Sequence, residues 1–134
     1  MVRALPSNLK SWSFDQFMAL AESGLFKEQP HVELIDGQIY DKISQNHPHF
    51  YIVAIVTDAL KAVFGLGSAI SSQSTVRLGP KDGPEPDIAV FRGKMRDYAR
   101  GWPDPGDMVL VVEVGDSTVQ EDIRFKAPLL IGPG

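Results

Sequence analysis

Apolar positions recur along this chain with a period that changes from segment to segment, and each change marks an element. Ser13 with Gln16 three residues on makes a capping box. Phe14, Phe17, Met18 and then Leu20 or Ala21 give one apolar side to a helix over 14–23, stopped by Gly24. His31 to Ile35 alternates as a strand, Asp36-Gly37 is a two-residue hairpin signal, and Gln38 to Ile43 returns as the partner strand. Pro48 suits the first turn of a longer helix, in which Ile52, Ile55, Val56, Ala59, Leu60 and Val63 recur at helical spacing until Gly65 and Gly67 end it. Ser68 to Leu78 reads as an extended strand, and Gly79 to Pro86 as a turn-rich connection. Ile88 to Phe91 is a short apolar strand, and Arg92 to Asp107 a polar loop with one helical turn near Met95 to Tyr98. Met108 to Val114 is continuous and β-branched, as a central buried strand should be. Ser117 or Thr118, each with Gln120 or Glu121 three residues on, caps a final helix.

The order α-β-β-α-β-β-β-α predicts an α/β or α+β layer fold with a mixed central sheet flanked by helices. No internal repeat or linker divides the sequence, so residues 1–134 are expected to form one domain. The absence of cysteine excludes disulfides and thiolate metal sites and suits a reducing, cytoplasmic setting. Residues 1–14 lack the apolar run of a signal peptide. The longest apolar stretch, Phe50 to Leu66, is broken by Thr57, Asp58 and Lys61, so no membrane partner is expected. A formal charge of −4 counts against passive nucleic-acid binding, which phosphate neutralisation drives. It leaves room for a metal-dependent nuclease, whose own acids are neutralised by the cation.

Two carboxylates sit at unusual addresses. Asp87 stands at the mouth of the strand Ile88 to Phe91, and Glu113 lies inside Val109 to Val114. A charge in a buried strand is costly unless it is paired or holds a metal, and Mg²⁺ is satisfied by one or two carboxylates, water and phosphate oxygens. Taken singly, Asp87 reads as a turn residue after proline, and Glu113 as a strand-end ion pair or an outward-facing side chain as readily as a site residue. On neighbouring strands at matching heights they would share one side of the sheet.

Lys126 follows Asp122 by one helical turn, which fits an ordinary i,i+4 pair as well as an ammonium over the acids. Glu33 reads first as a solvent-facing strand residue and second as a further ligand for metal or water. His47 and His49 flank Pro48 and read as helix-start residues. Arg92, Lys94, Arg96 and Arg100 form the one local basic cluster, with Tyr98 and Trp102 in or beside it. Such a loop suits a phosphate backbone, or simply solvent.

Several segments together resemble a known family. Glu33-Leu34-Ile35-Asp36-Gly37, Pro84-Glu85-Pro86-Asp87-Ile88-Ala89-Val90 and Leu110-Val111-Val112-Glu113-Val114 are similar to its signatures. So is Asp116-Ser117-Thr118 followed by Asp122 and Lys126-Ala127-Pro128-Leu129. In this order and spacing they resemble the Uma-type (Uma-two) restriction-endonuclease-like proteins of the PD-(D/E)xK nuclease superfamily, over about Trp12 to Leu129. The resemblance implies a mixed sheet flanked by helices, Mg²⁺ or Mn²⁺, and hydrolysis of DNA phosphodiester bonds. It makes Asp87 and Glu113 the metal-binding acids, with the backbone carbonyl of Val114 as an extra ligand and Glu33 as the upstream acid.

Gly115 stands where the superfamily's usual lysine would be, and Lys126 on the next helix takes that role in the resemblance. His49 matches a histidine at the start of the family's long helix, and Asp122 is a further accessory position. Family members continue after Lys-Ala-Pro-Leu with more helix and a late strand, whereas this sequence ends Leu129-Leu130-Ile131-Gly132-Pro133-Gly134. The C-terminal helix and strand are therefore expected to be incomplete, with exposed apolar surface that favours a homodimer. Two other readings stand beside the nuclease: a non-catalytic nucleic-acid-binding or dimerising remnant, and a hydrolase using paired carboxylates as acid and base.

Overall fold

A computed structural model of the chain describes residues 8–42, 46–115 and, for the backbone, 123–125. Helix α1 spans Phe14–Glu22, and both hydrogen bonds of its capping box form: Gln16 N–H to Ser13 Oγ at 3.1 Å and Ser13 N–H to Gln16 Oε1 at 2.9 Å. Strands β1 (Val32–Ile35) and β2 (Gln38–Asp41) pair as an antiparallel hairpin. Asp36 and Gly37 at its tip have φ of 48° and 80°, the two positive values that a type I′ turn requires. Phe14 and Phe17 of α1 bury against Val32 and Leu34 of this hairpin, one of three apolar clusters among the described residues.

Helix α2 spans His47–Phe64, with Asn46 as its N-cap and Gly65 as its C-cap. It leads into β3 (Ser68–Ser72), β4 (Ile88–Arg92), β5 (Met108–Val114) and β6 (Ile123–Phe125), a four-stranded sheet in that order. Ala69, Ala89, Phe91, Met108 and Val111 form the core on one face of the sheet. Ile88, Val112 and Val114 pack on the other face against Val53, Ile52, Val56 and Leu60 of α2. By length and composition alone, His47–Gly67 is long and apolar enough to cross a membrane, contrary to the expectation drawn from the breaks at Thr57, Asp58 and Lys61. The inner stripe of α2 covers the sheet, and Phe50, Tyr51, Ile55 and Val63 are exposed on its outer side.

The α+β class is the one expected, and every strand pair among the described residues is antiparallel. Two elements differ from expectation. The strand expected over Ser68 to Leu78 ends at Ser72, because Gln73 turns to a φ of 49° and gives its N–H to the Asp87 carbonyl at 2.9 Å. Val76 and Leu78 then bond to Pro84 and Asp82 instead of a neighbouring strand. The final helix expected after Ser117 does not include 123–125, which pair with β5 through Val112↔Phe125 and Val114↔Ile123. The backbone of β5 needs partners on both sides, and Ile-Arg-Phe alternates as a strand does.

Candidate active site

Asp87 is delivered to the sheet by a segment pinned at several points. Gly83 and Leu34 exchange two backbone hydrogen bonds, of 2.8 and 3.0 Å, so the segment before Asp87 runs as a short extension of the β1 edge. The close approach requires glycine: a Cβ at position 83 would lie 2.8 Å from the Phe14 ring. Glu85 N–H then donates to Glu33 Oε1 at 3.0 Å, and Pro84 and Pro86 on either side hold φ fixed. In the register of β4 on β5, Ile88 faces Val112, and one further step sets Asp87 opposite Glu113.

The Asp87 carboxylate is 2% exposed. Its Oδ2 accepts the Val114 N–H at 2.7 Å and lies 3.2 Å from His49 Nε2, a hydrogen bond when that nitrogen carries the proton. Its Oδ1 has no hydrogen-bond partner, although it is buried. That oxygen faces Lys42 Nζ at 3.6 Å, and the same ammonium lies 3.8 Å from Glu113 Oε2. Both acids thus converge on one positive charge. Lys42 also donates to the Glu85 backbone carbonyl. Side-chain exposures of 15% for Lys42 and 23% for Glu113 leave the arrangement open to solvent on the glutamate side.

A ring of supporting groups surrounds the pair. His49 sits in the first turn of α2, where Asn46 Oδ1 caps its N–H at 3.0 Å, and its buried Nδ1 has no hydrogen-bond partner. His31 Nδ1 lies 2.9 Å from Glu85 Oε2. Burial pushes the Glu85 carboxyl above its ordinary value of 4.5, against the hydrogen bond and charge of His31 and the charge of Lys42, while Glu33 adds to the rise.

Asp87, Glu113, His49 and the backbone of Val114 are therefore brought together, with Val114 engaged through its N–H. Glu33 stands one step away and binds the segment that carries Asp87. Asp122 and Lys126 lie outside the described residues. Arg92, Lys94, Arg96 and Arg100 belong to the opposite end of β4. Arg92 is five residues beyond Asp87, roughly 16 Å at the rise of a strand. Lys94 and Arg96 there line an open hollow with Lys61, Leu66 and Ile70.

Lys42, Glu85 and His31 were not singled out by the sequence, yet a signal was present. With Asp36-Gly37 as the turn, Glu33 pairs with Tyr40, and Lys42 N–H bonds the His31 carbonyl at 2.8 Å. His31, Glu33 and Lys42 therefore share the hairpin face opposite Val32 and Leu34. Among the described residues no group of three or more His, Asp or Glu side chains converges as a metal centre. The donors that do converge are two carboxylates, all-oxygen ligands of the kind a hard cation takes. The buried Oδ1 of Asp87, which has no hydrogen-bond partner, is an oxygen that such a cation would satisfy, so the residues fit a divalent ion.

A family model described as "Putative restriction endonuclease", Uma2, matches residues 14–129, most of the chain. The chain belongs to the Uma2 family. Membership supports a nuclease-like function on an α+β domain of restriction-endonuclease type. Comparison with curated proteins and with solved structures gave no match. Within the Uma2 match fall all the residues that meet at the site: His31, Glu33, Lys42, His49, Glu85, Asp87 and Glu113.

Proposed function

We propose that this Uma2 protein is a divalent-metal-dependent endonuclease that hydrolyses DNA phosphodiester bonds, with Mg²⁺ or Mn²⁺ held by Asp87 and Glu113. The observation that carries the reading is the convergence of these two acids, Asp87 just before β4 and Glu113 within β5, on one ammonium, with Asp87 Oδ1 buried and without a hydrogen-bond partner. Bound there, the ion would supply a Lewis acid for the phosphate and lower the pKa of an attacking water.

The chain's own groups do the rest. Val114 N–H and His49 fix one Asp87 oxygen, and the other, Oδ1, has no hydrogen bond and faces the Lys42 ammonium at 3.6 Å. Glu33 holds the backbone of the Pro84 to Pro86 segment through one carboxylate oxygen, and it stays in the proposal as the upstream acid, a further ligand for metal or water. The Val114 carbonyl, Asp122 and Lys126 stay in the proposal as further ligand, accessory group and water-positioning lysine. Arg92, Lys94, Arg96 and Arg100 stay as contacts to the DNA backbone away from the cut. A homodimer and a cytoplasmic setting belong to the same proposal, and sedimentation would measure the first.

Supercoiled plasmid is the test substrate. Nicking that needs Mg²⁺ or Mn²⁺, stops with chelator and falls at least about a hundredfold in Asp87→Asn and Glu113→Gln is expected, on the scale of losing metal-site groups. Absence of nicking with either ion, or nicking unchanged in both variants, would overturn the proposal. A second reading, a non-catalytic nucleic-acid-binding remnant, is favoured by the fact that only two acids, not three, converge among the described residues. It expects DNA binding indifferent to Mg²⁺ and to Glu113→Gln.

A further inference from the structure

The ammonium of Lys42 stands in an informative relation to the two acids. It is 3.6 Å from one and 3.8 Å from the other, beyond the 2.7–3.2 Å of a good N–H···O bond, so it attracts both carboxylates without bonding to either. Its hydrogen bond goes sideways, to the carbonyl of Glu85. That carbonyl belongs to the segment pinned by Gly83 and Glu33, so the anchor does not depend on either carboxylate. Two acids that share a site closed to water on the Asp87 side repel each other, and a cation at similar distance from both relieves the repulsion. A divalent ion held by the Asp87 and Glu113 carboxylates would need the region that Lys42 Nζ now neutralises. One doubly and one singly positive charge do not share such a space without repulsion.

We infer that Lys42 is a built-in counter-ion of the Asp87–Glu113 pair, which competes with the divalent cation and moves aside when the metal binds. The inference rests on the metal reading above. It sets Lys42 apart from a lysine that merely supports the fold. Removing a supporting lysine loosens the acids and weakens metal binding, whereas removing a competitor strengthens it.

Calorimetric titration of chelator-treated protein with Mn²⁺ separates the two. Lys42→Gln and Lys42→Met should bind Mn²⁺ roughly tenfold or more tightly than the wild type, in the range of changes seen at groups around a metal. The double variant Lys42→Gln with Asp87→Asn should lose that binding, which assigns it to this site. A wild type that binds Mn²⁺ while the Lys42 variants bind it equally or more weakly overturns the competition and leaves the metal reading intact. No binding by the wild type or any variant overturns both. A second measurement uses the wild-type chain and does not depend on variants folding: reductive methylation read by mass spectrometry. Labelling of Lys42 should rise when Mn²⁺ is added, as the ammonium leaves the acids; labelling that stays constant or falls contradicts the inference.

Discussion

At the first end of β4, Asp87 is buried among a lysine, a histidine and a backbone N–H; at the other end, Arg92, Lys94, Arg96 and Arg100 all stand in solvent. The two ends differ in how their charges are held. Around Asp87 the partners come from three separate parts of the chain: Lys42 beside the hairpin, His49 of α2 and Val114 of β5. Around Arg92 the structure is local. Lys94 N–H bonds Asp97 Oδ2 at 2.8 Å, and the Tyr98 hydroxyl bonds the Arg92 carbonyl at 2.5 Å, while the four basic residues themselves are exposed. A buried charge must be compensated by groups brought from a distance, so its surroundings constrain the whole fold. An exposed charge is compensated by water and constrains little.

Substitutions at the two ends should therefore differ in size. The largest loss of stability is expected for His49→Ala, about 2–4 kcal/mol by chemical denaturation. It empties a buried position in α2 and removes a partner from a buried carboxylate. A loss below about 1 kcal/mol would mean that the acid end is less tightly built than its burial suggests. Glu33→Ala comes next, at about 1 kcal/mol, because the Glu85 N–H loses its acceptor. Its effect on nicking should appear mainly as lower turnover, since the segment carrying Asp87 loses one anchor.

Glu85→Gln sharpens the comparison through pH. The folded chain holds the Glu85 carboxyl above 4.5, so it binds this proton more tightly than the unfolded chain does. The wild type must therefore lose stability from this group as pH rises from 4.5 through the raised folded value. The glutamine variant escapes that loss. The difference in Tm, variant minus wild type, should be more positive near about pH 7.5 than near about pH 4. A difference that does not change with pH would remove burial as the dominant influence on Glu85. The smallest effect is expected at the basic end, where Arg96→Ala should shift stability by less than about 0.5 kcal/mol. If that arginine meets phosphate, the dependence of DNA binding on salt should shallow by about one unit of slope.

The same contrast explains what the sequence made legible. The capping box at Ser13, the turn at Asp36-Gly37 and the helix from His47 are local, and all form as expected. Asp87 and Glu113 stood out because a carboxylate beside a run of β-branched residues breaks the local pattern. Lys42 broke no pattern. A lysine after Tyr40-Asp41 reads as an ordinary strand end, and only the folding of the hairpin onto the Pro84 to Pro86 segment brings it to the acids. The early end of β3 has a similar cause: Thr75 and Val76 favour extended backbone, but the bond from Gln73 to Asp87 is a long-range event. Glu33 was singled out for its charge, while what it binds in the fold is a backbone N–H.

The most direct measurement is a crystal of the protein soaked with Mn²⁺ and recorded for anomalous scattering. A peak about 2.1–2.3 Å from Asp87 Oδ1 and from a Glu113 carboxylate oxygen, with the Lys42 ammonium drawn away from both, is the expected result. A fully soaked crystal with no peak at the acids, or with Mn²⁺ bound elsewhere and Lys42 still between them, would contradict it.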